Sequence, residues 1–561
     1  MKTVMYKDNK LYVQFKFPWN DPEFNSTLNN IKSLYGREFI MESKKWIVPP
    51  TDTNIEQLAE WGFDFDDSCI HLFEKEYRNT EEDYKNIPID KSQLKKLYPF
   101  QLEAVQFLEY HKGKGLIGDD MGIGKTIESL SYFKIHKEKR PILIICPASI
   151  KLNWEREIYK WVSQNEKVII LYGNKNYDIK DFDFCIINYD ILGYGQKVEY
   201  EKDGVKKEKI ILAGGWYETF LNIEWKGIIV DECQYLSTPS TIRIMAFKQI
   251  KKVCNDNIIF LSGTPLKNKP SELFTVLNTL DKNKFPNYYK YKERYCNPKH
   301  NGYGWIYKGV SNWKELHREV KSIMIRRSKS EVLKDLPEKN RIIIPLECNE
   351  KYYDKYIEEE NSIIENMDSR KKLERQNDFD KLKGMAYFAK RDSIISWLKD
   401  YILTGNKIIV SAYHISVLDD LCSCFNKKNY VRIDGSVPSV KRQSIVDRFQ
   451  TDENTLLFFG QILAAGVGIT LTAASASCFV EFGWTPADHI QFEDRIHRIG
   501  QMADSVFAYY LVANGTIEQH IVELLQQKYD VISKVLDGKE NQTLFDNSIL
   551  DNLFNRLKGN K

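Results

Sequence analysis

Twice along this chain, short apolar runs alternate with stretches of helical period, and no other feature constrains the fold as much. In the first stretch the runs are Leu116-Ile117, Ile142–Cys146, Val168–Tyr172, Phe184–Ile187, Gly227–Val230 and Ile258–Leu261. From Lys407 the pattern resumes with Ile408–Ala412, Val431–Ile433, Leu456–Phe459, Cys478–Phe482 and Val506–Val512. Unbroken apolar strands have no face to give to water, so helices must cover both sides of a parallel sheet. The prediction is an α/β chain with two such lobes in tandem, over 92–335 and 401–537, joined by a charged helical bridge over 336–400. A chain of 561 residues is too long for one core, which agrees with several domains.

Ahead of the lobes, residues 1–75 read as a small α+β unit. Leu11–Phe17 alternates as a strand, Asp21-Pro22 opens a helix through Leu34, Arg37–Ile40 and Lys45–Val48 make a hairpin, and a short helix runs to Trp61. Phe15, Phe17, Trp19, Trp46 and Trp61 are its candidate core, while Arg37, Lys44 and Lys45 are candidate phosphate contacts on the hairpin. An acidic linker is expected over 76–91, a tether crossed by few packed contacts, and a tail over 538–561.

The formal charge is +3, so any nucleic-acid contact must come from a local basic groove and not from a global field. Ten cysteines are scattered with no CxxC pair, as expected of reduced thiols; Cys422 and Cys424 are spaced poorly for zinc. Met1–Tyr12 has no secretory h-region, and no apolar run approaches the ~20 residues of a membrane span. A cytoplasmic setting is expected, and the abundance of Ile, Asn, Lys and Tyr suits an AT-rich bacterial or viral genome.

Asp119-Asp120-Met121-Gly122-Ile123-Gly124-Lys125-Thr126 follows an apolar strand and precedes a helical stretch. Gly122 and Gly124 let backbone N–H groups close on phosphate oxygens at a helix N-terminus; Lys125 reaches the outer phosphates and the Thr126 hydroxyl holds Mg²⁺. The strict pattern asks for Gly where this chain has Asp119. Ile228–Val230 delivers Asp231 and Glu232 at a strand's C-terminal end, where ligands sit on a parallel sheet. Asp231 suits Mg²⁺, and Glu232 suits deprotonation of an attacking water. Ser262-Gly263-Thr264-Pro265 follows another strand and alone is an ordinary turn. Gln491–Gln501 carries Arg495 and Arg498 three apart, a shared helical face able to reach phosphates on the other lobe. The bland alternative is a solvated helix with salt bridges to Glu493 and Asp494.

This order of motifs resembles the SNF2 family of superfamily-2 helicases from about residue 92 to 537. Leu97-Tyr98-Pro99-Phe100-Gln101 resembles its Q-motif, Asp119–Thr126 motif I, Pro147-Ala148-Ser149 through Trp154 motif Ia, Asp231–Gln234 motif II and Ser262–Pro265 motif III. Arg326–Leu333 resembles the segment crossing between lobes, Ile433–Ser436 ahead of Arg442 follows the same family, Ala464–Ala474 resembles motif V and Gln491–Gln501 motif VI. The resemblance implies two RecA-like lobes with ATP and Mg²⁺ between them. It places Gln101, Asp120, Met121, Gly122, Ile123, Gly124, Lys125, Thr126 and Gly466 on the nucleotide, and Thr126 and Asp231 on the metal. Lys125, Asp231, Glu232, Arg495 and Arg498 take catalytic roles. Ser149, Thr264, Arg326, Arg327 and Ser436 meet DNA, and Gln234, Ser262 and Gln491 couple the sites. Within the family the chain is most similar to annealing helicases of the HARP type, on Asp119-Asp120, Arg294-Tyr295-Cys296 leading to Gly304-Trp305-Ile306-Tyr307, Gly468-Ile469-Thr470, and the leading unit from Tyr35 through Trp46 to Trp61-Gly62-Phe63. Gln234 departs from the His of many relatives.

The implied function is an ATP-driven translocase on double-stranded DNA, working as a monomer and re-annealing or remodelling branched DNA. Alternatives are a motor that displaces DNA-bound proteins, a nucleotide-gated DNA-binding switch, and a track of duplex RNA.

Overall fold

The structure, a computed structural model, describes residues 2–18, 21–69, 84–173, 178–202, 205–300, 305–307, 309–366, 372–466 and 468–545. Trp19, most of the expected acidic tether and the tail beyond 545 lie outside them.

The leading unit is a five-stranded sheet ordered β3-β4-β2-β1-β5, with β1 Lys2–Lys7, β2 Lys10–Phe15, β3 Glu38–Ile40, β4 Lys45–Val48 and β5 Asp64–Phe65. The helices Pro22–Ser33 and Asp52–Glu60 complete it around Val4, Leu11, Val13, Ile31, Val48 and Leu58. Asp21 caps the first helix by accepting from the Glu23 N–H, with Pro22 opening it, the usual helix-start chemistry. The expected hairpin is present, Phe39 opposite Trp46. The β1 strand was not expected from the sequence, because Val4-Met5-Tyr6 is only a three-residue run between Lys2-Thr3 and Lys7 and shows no alternation.

The first lobe is a seven-stranded, all-parallel sheet ordered β16-β6-β13-β12-β7-β9-β8. Its strands are β6 Gly115–Ile117, β7 Ile142–Cys146, β8 Val168–Ile170, β9 Phe184–Asn188, β12 Gly227–Asp231, β13 Ile258–Leu261 and β16 Met324–Ile325. Ile228, Val230, Leu143 and Ile145 enter one core while Ile229, Ile142 and Ile144 enter the other. Period-two alternation into two buried faces is why these strands read as continuous apolar runs. Two antiparallel hairpins stand apart from this sheet: β10 Tyr194–Lys202 with β11 Val205–Gly214, and β14 Pro298–His300 with β15 Trp305–Tyr307.

The second lobe is a six-stranded parallel sheet ordered β17-β22-β21-β18-β20-β19, formed by β17 Glu338–Leu346, β18 Ile408–Ala412, β19 Tyr430–Ile433, β20 Leu457–Gln461, β21 Ala476–Phe479 and β22 Ser505–Ala513. The expected helical bridge over 336–400 is corrected at its start. Residues 338–346 form the edge strand β17, paired along its length with β22, Ile343 opposite Tyr510. Charges flanking Ile342–Ile344 hid the strand from sequence; they are consumed by ion pairs described below. The rest is helical, Glu350–Glu365 and Lys372–Ile402, and Leu382, Ala386, Ile394 and Leu398 pack into the lobe's two cores.

The helix Ile517–Leu536 ties the lobes together: Ile521, Val522 and Leu525 lie in a second-lobe core, while Ile532, Val535 and Leu536 lie in a first-lobe core. Among the described residues, no helix is long and apolar enough to cross a membrane.

Candidate functional site in the cleft between the lobes

The loop after β6 enters the helix Lys125–Ile135. Gly122 and Gly124 have φ of 86° and 122°, values that L side chains resist. Space gives a second reason for glycine. A Cβ on Gly124 would stand 2.4 Å from Gln101 Nε2, and one on Gly122 would stand 3.1 Å from Arg498 Cγ. Gln101 is buried, donates to the Ile123 carbonyl (2.9 Å) and accepts from the Tyr98 N–H (3.0 Å), so it braces the loop. Met121 and Ile123 are buried, and Thr126 is half-buried in the helix's first turn. Lys125 Nζ donates to the carbonyls of Asp119 (2.7 Å) and Asp120 (3.0 Å). Burial lowers its pKa, against the charges of Glu232, Asp119, Asp120 and Asp231.

Asp119 explains its own departure from Gly. Its φ is not positive, its side chain is fully buried, and it accepts from the Arg327 N–H (2.9 Å) and guanidinium. Arg327 also binds Glu128 (2.9 Å) and the Phe100 carbonyl. Arg326 bonds Asp537 and the Gly118 carbonyl, both at 2.6 Å, and approaches Asp120 at 3.7 Å. The expectation that Arg326 and Arg327 meet DNA is therefore corrected. Their guanidiniums are spent on carboxylates and carbonyls of the protein, and the carboxylates paired with Arg327, those of Asp119 and Glu128, are fully buried and would be costly to leave unpaired. Asp120 likewise turns its carboxylate to the Lys329 N–H (3.1 Å).

At the end of β12, Asp231 accepts from Trp154 Nε1 (2.9 Å) and from the Glu232 N–H (2.9 Å). Burial and then the Glu232 charge push its pKa up. Glu232 sits at φ 53°, ψ 54°, a left-handed conformation for a side-chain-bearing residue of the kind that clusters at functional sites. A polar chain leads from it. Gln234 donates to Glu232 (2.6 Å) and accepts from Ser262 Oγ (2.6 Å), which in turn accepts from the Thr264 N–H (3.0 Å). From the second lobe Gln491 Nε2 donates to Glu232 at 3.2 Å. The residues expected to couple the sites are thus joined through Glu232. Trp154 was named within motif Ia, but its bond to Asp231 had no sequence signal.

The helix Pro486–Glu493 ends before the two arginines, so they occupy the following turn and not the helical face the spacing predicted. Their acidic neighbours are taken. Glu493 pairs with Arg341 (2.7 Å) and Lys339 (3.0 Å), Asp494 with Lys329 (2.9 Å) and Lys339 (3.1 Å). Arg495, 2% exposed, donates to the carbonyls of Gln491 (3.0 Å) and Ile469 (3.1 Å) and lies 3.9 Å from Met121 Sδ across the cleft. Arg498 donates to the Asp494 carbonyl (2.8 Å) and Thr470 Oγ1 (3.2 Å). Burial lowers the pKa of both. The salt-bridged alternative fails: these guanidiniums face the phosphate loop with carbonyl, hydroxyl and sulfur partners. Guanidiniums so placed suit an anionic ligand.

Gly466 packs against the Ile462 carbonyl and Gln491, so its place is beside the coupling residue. Ser149 and Arg442 line one cavity of about 340 Å³ between the lobes. Ser436, exposed, bonds Asp434, whose carbonyl accepts from Arg442 at 3.2 Å. Thr264, expected beside them, is instead buried and lines a different cavity with Asp120, Lys339 and Arg341, because the turn after β13 runs into the lobe contact.

Two parallel-sheet lobes, a phosphate loop on one and paired arginines from the other define a helicase-type ATPase. The chain belongs to the SNF2-related family: that domain's model matches residues 100–397, and the helicase conserved C-terminal domain matches 390–500. It is 34% identical over 80% of its length to a "SWI/SNF-related matrix-associated actin-dependent regulator of chromatin subfamily A-like protein 1 homolog" of Caenorhabditis elegans, spanning 63% of that protein. It is 33% identical over 83% of its length to the "DNA annealing helicase and endonuclease ZRANB3" of Bos taurus, spanning 43% of it. A solved Sulfolobus solfataricus SWI2/SNF2 ATPase core in complex with dsDNA is similar at 23% identity, with TM-score 0.37, covering 82% of this chain and 96% of that one.

Proposed function

We propose that this protein is an ATP-driven translocase on double-stranded DNA that re-anneals or remodels branched DNA. The carrying observation is the pair Arg495 and Arg498, held by one lobe, without a carboxylate partner among the described residues and set against the phosphate loop of the other. Such a pair acts on nucleotide only while the cleft is closed, which links lobe movement to ATP. Lys125 and the loop N–H groups hold the phosphates, and the arginines stabilise charge that develops on the transferring phosphoryl group. Glu232, fixed by Gln234 and Gln491, deprotonates the attacking water. Through Gln491 the same carboxylate registers whether the second lobe is in place.

Mg²⁺ fits this site. Asp231 and Glu232 are adjacent hard-oxygen donors whose mutual repulsion is answered only in part by Lys125, and Mg²⁺ is usually held by one or two carboxylates with substrate phosphates. Asp231 and Thr126 would hold it, and it would neutralise phosphate charge.

The cavity shared by Ser149 and Arg442 supports a DNA track running across both lobes, with contacts to phosphates and so without sequence preference. The name of the Bos taurus relative, a DNA annealing helicase, supports annealing as the outcome, and the working unit is read as a monomer. The test measures ATPase activity with duplex, single-stranded and forked DNA for wild type and Glu232→Gln. Duplex and forked DNA should stimulate wild type strongly, and Glu232→Gln should bind ATP and turn over very slowly. ATPase indifferent to DNA would refute the motor.

A further inference from the structure

The start of the helix Lys151–Trp161 and the turn after β9 both reach the cavity between the lobes. Ala148 and Ser149, just ahead of the helix, line that cavity with Tyr189, Asp190 and Tyr235 of the same lobe and Arg442 of the other. One buried lysine ties the two pieces together. Lys151 Nζ donates to the Leu171 carbonyl (2.8 Å) and to Asn188 Oδ1 (3.1 Å), and Asn188 directly precedes Tyr189. The second lobe also touches here. A Cβ on Gly468 would collide with Ile150 Cγ2, so the lobes are in direct contact at the residue that caps the helix.

Both pieces lead on to Asp231. Trp154 lies one turn beyond Ile150 and is buried in a first-lobe core. Its Nε1 donates to Asp231 Oδ2 at 2.9 Å, while Oδ1 accepts from the Glu232 N–H. A carboxylate oxygen has two lone-pair sites, so each keeps one for a metal or a water. Tyr189 is also buried and stacks on the exposed Tyr235, with ring centroids 5.1 Å apart and planes 13° apart. Its hydroxyl donates to the Asp231 carbonyl at 2.5 Å and lies 3.4 Å from that of Glu232. Asp231 is thereby held by its carboxylate from one cavity-lining element and by its backbone from another. Packing alone asks only for an aromatic ring at either position, yet the N–H of one and the O–H of the other both go to this residue.

We infer that Trp154 and Tyr189 are positioning residues that carry the occupancy of the inter-lobe cavity to Asp231, the carboxylate read as a Mg²⁺ ligand. The inference rests on the reading of the protein as a DNA motor. Duplex seated on Ser149 and Tyr235, with Gly468 closed onto Ile150, fixes the helix Lys151–Trp161 and the Tyr189 turn, and these aim Asp231 at the nucleotide. The route is separate from the one through Gln234, Ser262 and Gln491, which ends on Glu232. Along it duplex and Mg²⁺–ATP strengthen each other's binding by one factor, because coupling between two sites is reciprocal.

The test places Trp154→Phe and Tyr189→Phe in the Glu232→Gln protein, where turnover is very slow, with Trp216→Phe as control. Trp216 is likewise a buried indole of the first lobe, but it donates to the Gly173 carbonyl at 2.9 Å. Binding of a fluorescent ATP in Mg²⁺ is titrated with and without duplex, and duplex affinity is measured without nucleotide. Duplex should tighten ATP binding in the parent. Trp154→Phe, which loses a hydrogen bond to a charged group, should reduce that factor by about tenfold, and Tyr189→Phe, which loses one to a carbonyl, by about fivefold. Duplex affinity without nucleotide should stay at the parent's value, and Trp216→Phe should keep the parent's factor. A parent factor preserved in either variant overturns the link. So does an equal loss in Trp216→Phe, which makes the effect one of packing, and so does a loss traced to weaker duplex binding without nucleotide. The nearly isosteric Tyr189→Phe decides the matter if Trp154→Phe fails to fold. A parent in which duplex leaves ATP binding unchanged overturns the link while duplex-stimulated ATPase of wild type stands; wild type that binds no duplex refutes the motor reading and the link together.

Discussion

Arg327 shows how a residue's chemistry and its role come apart. As one of two adjacent arginines beside a recognised motif it looks like a phosphate contact, yet its guanidinium closes on Asp119 and Glu128, both fully buried. Burial and the Asp119 charge push Glu128 upward, while Arg327 pulls it down. Arg327→Ala should destabilise the first lobe by about 3–5 kcal/mol, since it strands buried carboxylates; denaturant titration checks this, and a wild-type midpoint would return Arg327 to the DNA groove. In the second lobe, Glu493 combines burial, which alone would raise its pKa, with Arg341 and Lys339, which outweigh it and bring it to about 2 from an ordinary 4.5. A carboxyl depressed on folding adds stability that is complete above pH 4.5 and is lost as pH falls toward 2. The stability gap between wild type and Glu493→Gln should therefore be widest near neutrality and narrow steadily below pH 4.5. A gap independent of pH would mean that Glu493 acts by shape and not by charge.

At the scale of elements, the helix Ile517–Leu536 does what its sequence alone does not announce. Its amphipathic pattern predicts burial but not that its two ends enter different lobes. Its last turn is fixed by the Val535 carbonyl, 3.1 Å from His317 Nδ1, and by Asp537 on Arg326. Val535 is fully buried. Val535→Asp should detach the helix end, because an unpaired carboxylate cannot be buried cheaply. Small-angle scattering should then show a larger radius of gyration, and thermal unfolding should separate into two transitions. Unchanged scattering would show that the arginine contacts alone hold the lobes together.

At the scale of the whole molecule, the leading unit stands outside the ATP cleft. It was expected to hang on a tether crossed by few packed contacts; most of that tether lies outside the described residues, and two side-chain contacts join the unit to the first lobe. Gln57 Nε2 donates to Asn312 Oδ1 at 3.3 Å, and the Arg294 guanidinium lies 4.3 Å from the Tyr35 ring centroid. Arg294 is itself bound to Glu315, so the unit meets an ion-paired patch of the first lobe. None of these residues belongs to the ATP cleft. Deleting residues 1–75 should leave duplex-stimulated ATPase within a few-fold of wild type while fork remodelling falls sharply. Equal loss of both would make the unit a structural prop, and loss of neither would assign it to another partner.

The sequence by itself determined the two parallel sheets, since strands buried on both faces must be written as unbroken apolar runs. It also determined the phosphate loop and the Asp231–Glu232 pair, whose residue types and local spacing carry their chemistry within a few positions. The charged hairpin β10–β11 and the strand β17 stayed hidden, because their charged residues mask the strand pattern. Tertiary structure alone decided which arginines take carboxylate partners. Arg326 and Arg327 find carboxylates about two hundred residues away in sequence, at Asp119, Glu128 and Asp537, whereas Lys329, Lys339 and Arg341 take the acids that would otherwise quench Arg495 and Arg498. Partnership between distant charges depends on which surfaces meet, and no local pattern records that.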